Sequence, residues 1–188
     1  MIEILPATPD RWADLEDLFG PERGGCAGCW CVWPRVSAQD FKALGKAGRK
    51  EMFQGVFAAG PPPGLLAYEG NLAIGWCAVG PREDYVRFQT AKKSRPVEGD
   101  EITPTYAITC FYIRASHRKT GLMGKLAADA VAHAKAKGAL AVEACTIDPD
   151  RPLIWGDGFV GLTPVFKSLG FEEVARRSPR RPLMRLKV

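Results

Sequence analysis

The sequence predicts one mixed α/β (α+β) domain over residues 1–188, and three observations carry that reading. Its 188 residues suit a single core that buries about two thirds of the surface of the unfolded chain. Residues 65–68 and 73–79 read as two strands joined at Glu69-Gly70-Asn71, a hairpin turn. Residues 105–146 then read strand, helix, strand within about 40 residues, a spacing that calls for a right-handed crossover between parallel strands.

The other elements follow in order. Ile2–Leu5 predicts a first strand. Thr8-Pro9-Asp10 opens a helix whose Trp12, Leu15, Leu18 and Phe19 share one face. Gly20–Pro34 is a loop rich in Gly, Cys and Trp. Ser37 is positioned to cap a second helix carrying Phe41, Leu44, Met52, Phe53, Val56 and Phe57. Gly45 and Gly48 weaken its middle, and the run from Gly60 to Gly64 ends it. Residues 82–104 read as a long loop with a short helix, and loops of that length in a compact domain are often functional. Thr105–Ile113 is dense in β-branched and aromatic residues, which suit a pleated strand. Leu122, Leu126, Ala130 and Val131 form the stripe of a helix that runs to Lys137, with Gly138 as its C′ residue. After the strand at 140–146 and a loop at 147–162, Thr163 and Pro164 start a short helix that Gly170 ends. Residues 171–176 and 183–187 close the chain as strands.

Composition narrows the function. The charge of +5 favours an anionic ligand over an acidic protein partner. Basic residues gather at Arg114/Arg118/Lys119/Lys125 and at Arg176/Arg177/Arg180/Arg181/Arg185. Neither run is interleaved with aromatics in the pattern of a nucleic-acid module, so no nucleic-acid partner is expected. No basic start followed by an apolar stretch opens the chain, and no apolar run approaches the roughly 20 residues of a membrane span. The expected place is therefore the cytoplasm, where the six cysteines stay reduced; a homodimer remains open.

The chemistry concentrates at Arg118-Lys119-Thr120-Gly121-Leu122-Met123-Gly124, between the strand at 105–113 and its helix. A helix start leaves amides unpaired and carries partial positive charge. Glycines let an anion approach the backbone, and Arg118 and Lys119 add whole charges. The Gly-Lys-Ser/Thr ending of a nucleoside-triphosphate loop is missing, as is the dinucleotide Gly-x-Gly-x-x-Gly. On spacing alone, a packing turn with solvated cations is the competing explanation.

At these residues the chain resembles the GNAT superfamily of N-acetyltransferases. The resemblance rests on Ile113-Arg114-Ala115-Ser116-His117-Arg118, on Arg118 to Met123, and on Val165-Phe166-Lys167-Ser168-Leu169-Gly170-Phe171, in that order. It implies a mixed, mostly antiparallel, twisted sheet of about seven strands flanked by about four helices, with acetyl-CoA as cosubstrate. It also implies that Arg118, Lys119, Thr120, Gly121, Leu122, Met123 and Gly124 hold the pyrophosphate. The pantetheine arm would run along Phe111, Tyr112 and Ile113, in the gap where the strands at 105–113 and 140–146 diverge. Phe166 occupies the cofactor-side position where many relatives carry a proton-donating tyrosine. Ala115 stands where a proline is usual, Met123 where a small residue is usual, and Ile147-Asp148 where an asparagine is usual.

Transfer of acetyl to an amine needs a base or a water chain, a donor for the acetyl oxygen, and a proton for the departing thiolate. A backbone N–H of the strand at 105–113 suits the second need, and Tyr106, Tyr112, solvent or the substrate's ammonium suits the third. Glu143 is the candidate catalytic base, because a carboxylate inside a short apolar strand is costly unless paired or used. A salt-bridged structural role is its alternative, and Glu101, Asp148 and Asp157 stand in reserve.

Cys26-Ala27-Gly28-Cys29-Trp30-Cys31-Val32-Trp33 has the residues for a substrate wall. Cys29, Trp30 and Trp33 would face an acceptor with an apolar or aromatic part; the competing roles are a core plug or a three-thiolate metal site. No metal is expected, because a structural zinc normally takes four ligands. The expected function is N-acetyl transfer to an amine of a small molecule or peptide, by direct transfer in a ternary complex. The alternatives are an acyl-CoA-binding sensor without catalysis and a cysteine or metal module built on Cys26, Cys29 and Cys31.

Overall fold

The computed structural model describes residues 1–20, 23–154 and 156–188. Seven strands make one sheet: β1 (Ile2–Pro6), β2 (Gly64–Glu69), β3 (Leu72–Pro81), β4 (Thr105–Ile113), β5 (Ala141–Cys145), β6 (Glu172–Arg176) and β7 (Pro182–Lys187). They lie in the order β1-β2-β3-β4-β5-β7-β6, so the segment richest in β-branched and aromatic residues is the middle strand. Only β4 and β5 run parallel, as their crossover requires; all other neighbours are antiparallel. The helices are α1 (Trp12–Phe19), α2 (Ala38–Ala59), α3 (Val86–Thr90), α4 (Leu122–Ala136) and α5 (Thr163–Ser168). None of them is long and apolar enough to cross a membrane.

Strand alternation divides the core. Leu65 and Ala67 of β2 point to one face, where Leu122, Leu126 and the small Ala127, Ala130 and Ala134 of α4 cover the sheet. The approach there is close, since a Cβ on Gly75 would lie 3.1 Å from Leu122 and Leu126. Leu66 and Tyr68 point to the opposite face, against α1, α2 and Trp30. There Trp76 is wholly buried and packs against Phe19, Phe53 and Phe57.

Local signals act where their chemistry predicts. Ser37 Oγ accepts the Asp40 amide at 3.1 Å and caps α2, and Gly138 takes a left-handed φ of 85° after α4. Two expectations need amendment. Gly45 does more than weaken α2, because its φ of 59° and ψ of −174° divide the helix into two pieces. Thr163 does not cap α5: it is the first helical residue, and its hydroxyl pairs with Thr146 Oγ1 at 2.9 Å, tying α5 to the end of β5.

The basic run from Arg176 to Arg185 differs from a solvated face. Arg176 pairs with Asp148 and Glu173, Arg180 with Asp150 and Asp157, and Arg185 with Glu143 and Asp100. Glu143 is 2% exposed in its side chain. Its carboxylate lies 2.7 Å from Arg185 Nη2 and 3.2 Å from Arg82 Nη1, both guanidiniums also being buried. Removing one partner of such a group leaves uncompensated buried charge, which costs about 3–5 kcal/mol.

Two stability outcomes follow. Glu143→Gln should lower the unfolding free energy by about 3 kcal/mol or more, read as a lower midpoint in urea. Trp76→Ala should cost about 3–5 kcal/mol in the same assay through lost aromatic packing.

Candidate active site

The parallel pairing of β4 with β5 covers only Thr105↔Ala141, Tyr106↔Val142 and Ala107↔Glu143. Beyond Ala107 the strands part, leaving the β5-facing edge of β4 without a strand partner from Ile108 to Ile113. At the same point the register with β3 slips. Ala78 stands opposite Cys110 and Val79 opposite Ile108, so Thr109 has no partner across the ladder. A bulge of this kind interrupts the ladder and re-aims the backbone.

At the far end of β4 the chain makes a 3₁₀ turn at Ala115–His117 and enters α4. Lys119 (φ 62°) and Gly121 (φ 83°) are both left-handed, on either side of Thr120. Among the described residues, the amides of Lys119, Thr120, Gly121, Leu122 and Met123 have no backbone acceptor; the Gly124 and Lys125 amides turn back to Gly121 O. Successive unpaired N–H groups at left-handed positions form an anion-binding concavity, reinforced here by a 15-residue helix behind it. The Arg118 side chain donates from Nε to Ile113 O at 3.1 Å, which joins the end of β4 to this turn.

Against the bulge lies a cavity of about 410 Å³, lined by Ile108, Thr109, Cys110 and Tyr112 of β4, by the loop at 24–34, by residues 87–94, by Cys145 and Arg181, and by residues 156–160. The loop at 24–28 is not helical in its dihedrals at Gly25, Cys26 and Ala27. Phe159 stacks on Tyr112 with centroids 6.1 Å apart and planes 8° apart. Trp33 is held between Phe41, edge-on at 4.9 Å, and the Arg87 guanidinium at 3.6 Å. Arg87, Lys93 and Arg181 bring positive charge to the lining, which among the described residues includes no carboxylate and no histidine.

Burial raises the pKa of most thiols here. Burial and the nearby Cys31 push Cys29 up to about 11. Hydrogen bonding to Cys31 and burial push Cys110 up as well, and burial raises Cys145. Cys31 is the exception: the Cys110 thiol and the Trp76 indole, whose Nε1 donates at 3.4 Å, draw its pKa down. Among the described residues no group of three or more His, Cys, Asp or Glu side chains could hold a metal ion.

The expected site residues thus fall into two sets. Arg118, Lys119, Thr120, Gly121, Leu122, Met123 and Gly124 meet at the start of α4, although the Leu122 side chain is buried in the core, leaving only its backbone available. Tyr112, Cys29 and Trp33 line the cavity. Phe111 is buried on the α4 face against Phe166, and Phe166 is wholly buried between Phe111 and Phe171. The Phe166 ring thus packs within the core beneath β4. Trp30, 1% exposed, stacks with Trp12 and belongs to the core beneath the cavity rather than to its wall. Glu143 lies outside the cavity lining, with two guanidiniums beside its carboxylate. Of the reserve acids, Asp148 and Asp157 are paired with arginines and Glu101 is exposed away from the lining. The bulge at Thr109 and the cations at 87, 93 and 181 escaped sequence reasoning. A bulge leaves no pattern in a run of strand-forming residues, and those three cations come together only through the fold.

Solved structures share this architecture. Thermoplasma acidophilum PaiA N-acetyltransferase, in complex with coenzyme A, is 13% identical, with 100% of this chain and 99% of that one covered and a TM-score of 0.54. Arabidopsis thaliana NAA60, in complex with acetyl-CoA, is 17% identical with 100% of both chains covered and a TM-score of 0.54. AAC(6')-Iy, in complex with the bisubstrate analogue CoA-S-monomethyl-acetylneamine, is 18% identical with 94% of each chain covered and a TM-score of 0.54. No curated protein sequence matches this chain. The pattern of the acetyltransferase (GNAT) family matches residues 13–154, about three quarters of the chain, and the protein belongs to that family.

Proposed function

We propose that the protein transfers an acetyl group from acetyl-CoA to an amine, directly, within a ternary complex. One observation carries this reading. The free edge of β4, with its bulge at Thr109, links the unpaired amides at the start of α4 to the cavity on the opposite side of the strand. That arrangement suits a long, anionic, amide-bearing thioester on one side and a small acceptor on the other. The residues fit coenzyme A: the amides of Lys119 to Met123, with Arg118 nearby, would hold the diphosphate, and the edge from Ile108 to Ile113 would pair with the pantetheine amides. The two relatives with CoA and acetyl-CoA support the assignment.

The chain's own groups then have distinct tasks. Backbone N–H at the Thr109 bulge is the donor assigned to the acetyl oxygen, where negative charge grows during attack. The amine lone pair forms the N–C bond as the C–S bond breaks, and the thiolate needs one proton. With no carboxylate or histidine in the lining, we assign the initial deprotonation to water. The excess proton of the substrate's ammonium leaves through the cavity mouth; Tyr112, which lines the cavity, is the candidate donor to the thiolate and regains its proton from the nitrogen that becomes the amide. Direct transfer is favoured over an acetyl-cysteine route because the raised pKa of Cys110 and of Cys145 leaves less of the nucleophilic thiolate. The six free cysteines also suit a reducing cytoplasm.

Calorimetry with acetyl-CoA and release of CoA thiol in the presence of amines test this directly. Wild-type protein should show saturable binding. Gly121→Val should weaken that binding by about tenfold or more, because a β-branched residue at φ 83° costs about 1–2 kcal/mol and shifts the amides. Absence of saturation with every CoA thioester by folded protein would refute the assignment.

A further inference from the structure

The cavity beside the bulge carries an electrostatic feature that acetyl transfer as such does not require. Arg87, Lys93 and Arg181 reach its lining from two separate parts of the chain, and none forms an ion pair among the described residues. Neighbours in sequence behave differently: Arg176, Arg180 and Arg185 all sit on carboxylates. Two of the unpaired cations are nevertheless fixed in place. Arg87 donates from Nε to Trp33 O at 3.0 Å and lies flat on the Trp33 ring, while its Nη2 is buried with no partner among the described residues. Arg181 donates from Nε to Thr146 O at 2.9 Å and from Nη2 to Cys145 O at 2.7 Å. Burial, then the charge of Arg181 and to a smaller degree that of Arg87, holds the Lys93 ammonium below its ordinary pKa, a sign that these groups repel one another across the cavity.

Like charges gathered without a counter-charge are costly in a partly buried site, and buried N–H groups with no acceptor add to that cost. A ligand carboxylate offsets both. The rest of the lining is mostly apolar and includes the rings of Trp33, Phe88 and Phe159. Its volume of about 410 Å³ holds one small molecule.

We propose that this cavity takes a primary amine that also bears a carboxylate on an apolar or aromatic body, as in an aromatic amino acid. The carboxylate meets Arg87, Lys93 and Arg181, the body lies against Trp33 and Phe159, and the amine faces the bulge at Thr109. Polycationic acceptors such as polyamines and aminoglycosides are disfavoured by the same three charges. This assignment rests on the acetyltransferase reading and specifies its acceptor.

Matched pairs test it: phenylalanine against phenethylamine, and tryptophan against tryptamine, by CoA thiol release from acetyl-CoA and by calorimetry of each amine alone, with spermidine and phosphoethanolamine as further arms. The carboxylate-bearing member of each pair should be favoured about 10–100-fold, the range for charge-assisted hydrogen bonds to one carboxylate. Lys93→Met and, separately, Arg87→Leu should reduce that ratio toward one while leaving acetyl-CoA binding intact. The proposal is overturned by equal or better use of the decarboxylated amines or spermidine, by a ratio unmoved by both variants, or by neither member of any pair binding or reacting. Preference for phosphoethanolamine over the amino acids also overturns it, in favour of a phosphate-bearing acceptor. If acetyl-CoA binds and some amine is acetylated without carboxylate preference, the acetyltransferase reading survives and this inference does not. If no CoA thioester binds, that reading fails, and the calorimetric ratio for the amines alone still decides the carboxylate site.

Discussion

The parting of β4 from β5 after Ala107 is the constraint on which the rest of the molecule depends. A parallel pair that continued to Ile113 would close the sheet and leave no backbone edge for a ligand. Instead β5 ends at Cys145, pairs along its length with β7, and yields the remaining edge of β4. The price of that opening is unpaired backbone in the middle of the sheet, and the fold concentrates its strongest electrostatic contacts where the strands separate. Glu143 stands opposite Ala107, the last paired residue, and binds Arg185 of β7 on one side and Arg82 after β3 on the other. Arg185 also reaches Asp100, and Arg82 reaches the carbonyl of Ser94, so the segment between β3 and β4 is fastened to the same point.

Glu143 therefore connects the sheet to the walls of the cavity through its two guanidinium partners. Holding the 82–100 segment in place positions Arg87 and Lys93 over the cavity, and the β7 side of the network positions Arg181. Arg181 itself grips the carbonyls of Cys145 and Thr146 at the end of β5, just where the strand pair opens. The cavity walls are rigid for related reasons. Trp33 is clamped between Phe41 and Arg87, and Tyr112 between Phe19 and Phe159. Aromatic walls set by packing rather than by solvent lose little entropy when a ligand arrives.

Much of this was legible in the residues. The hairpin at 65–79, the crossover from β4 through α4 to β5, and the left-handed glycine at 138 follow from local chemistry that does not need tertiary context. The amide-rich start of α4 belongs to the same class, because helix termini expose donors wherever they occur. Other features depend on partners distant in sequence. Glu143 reads as reactive when only its apolar strand neighbours are considered, and becomes structural once Arg82 and Arg185 arrive from 61 and 42 residues away. Trp30 and Trp33 look equivalent in a Cys-Trp-rich loop, yet the turn buries one and leaves the other 46% exposed. The run from Arg176 to Arg185 reads as a solvated face because its carboxylate partners lie in loops at 148–157 and at 100.

The central claim, that an opened β4 edge and the start of α4 together form one ligand-binding track, is tested most directly by amide chemical shifts. Titrating isotopically labelled protein with acetyl-CoA should move the backbone amides of Lys119 to Met123 and of the β4 segment around Thr109 in one saturable transition, leaving the distant β1 and β6 amides in place. Shifts confined to exposed basic side chains, or spread over the surface without saturation, would contradict it.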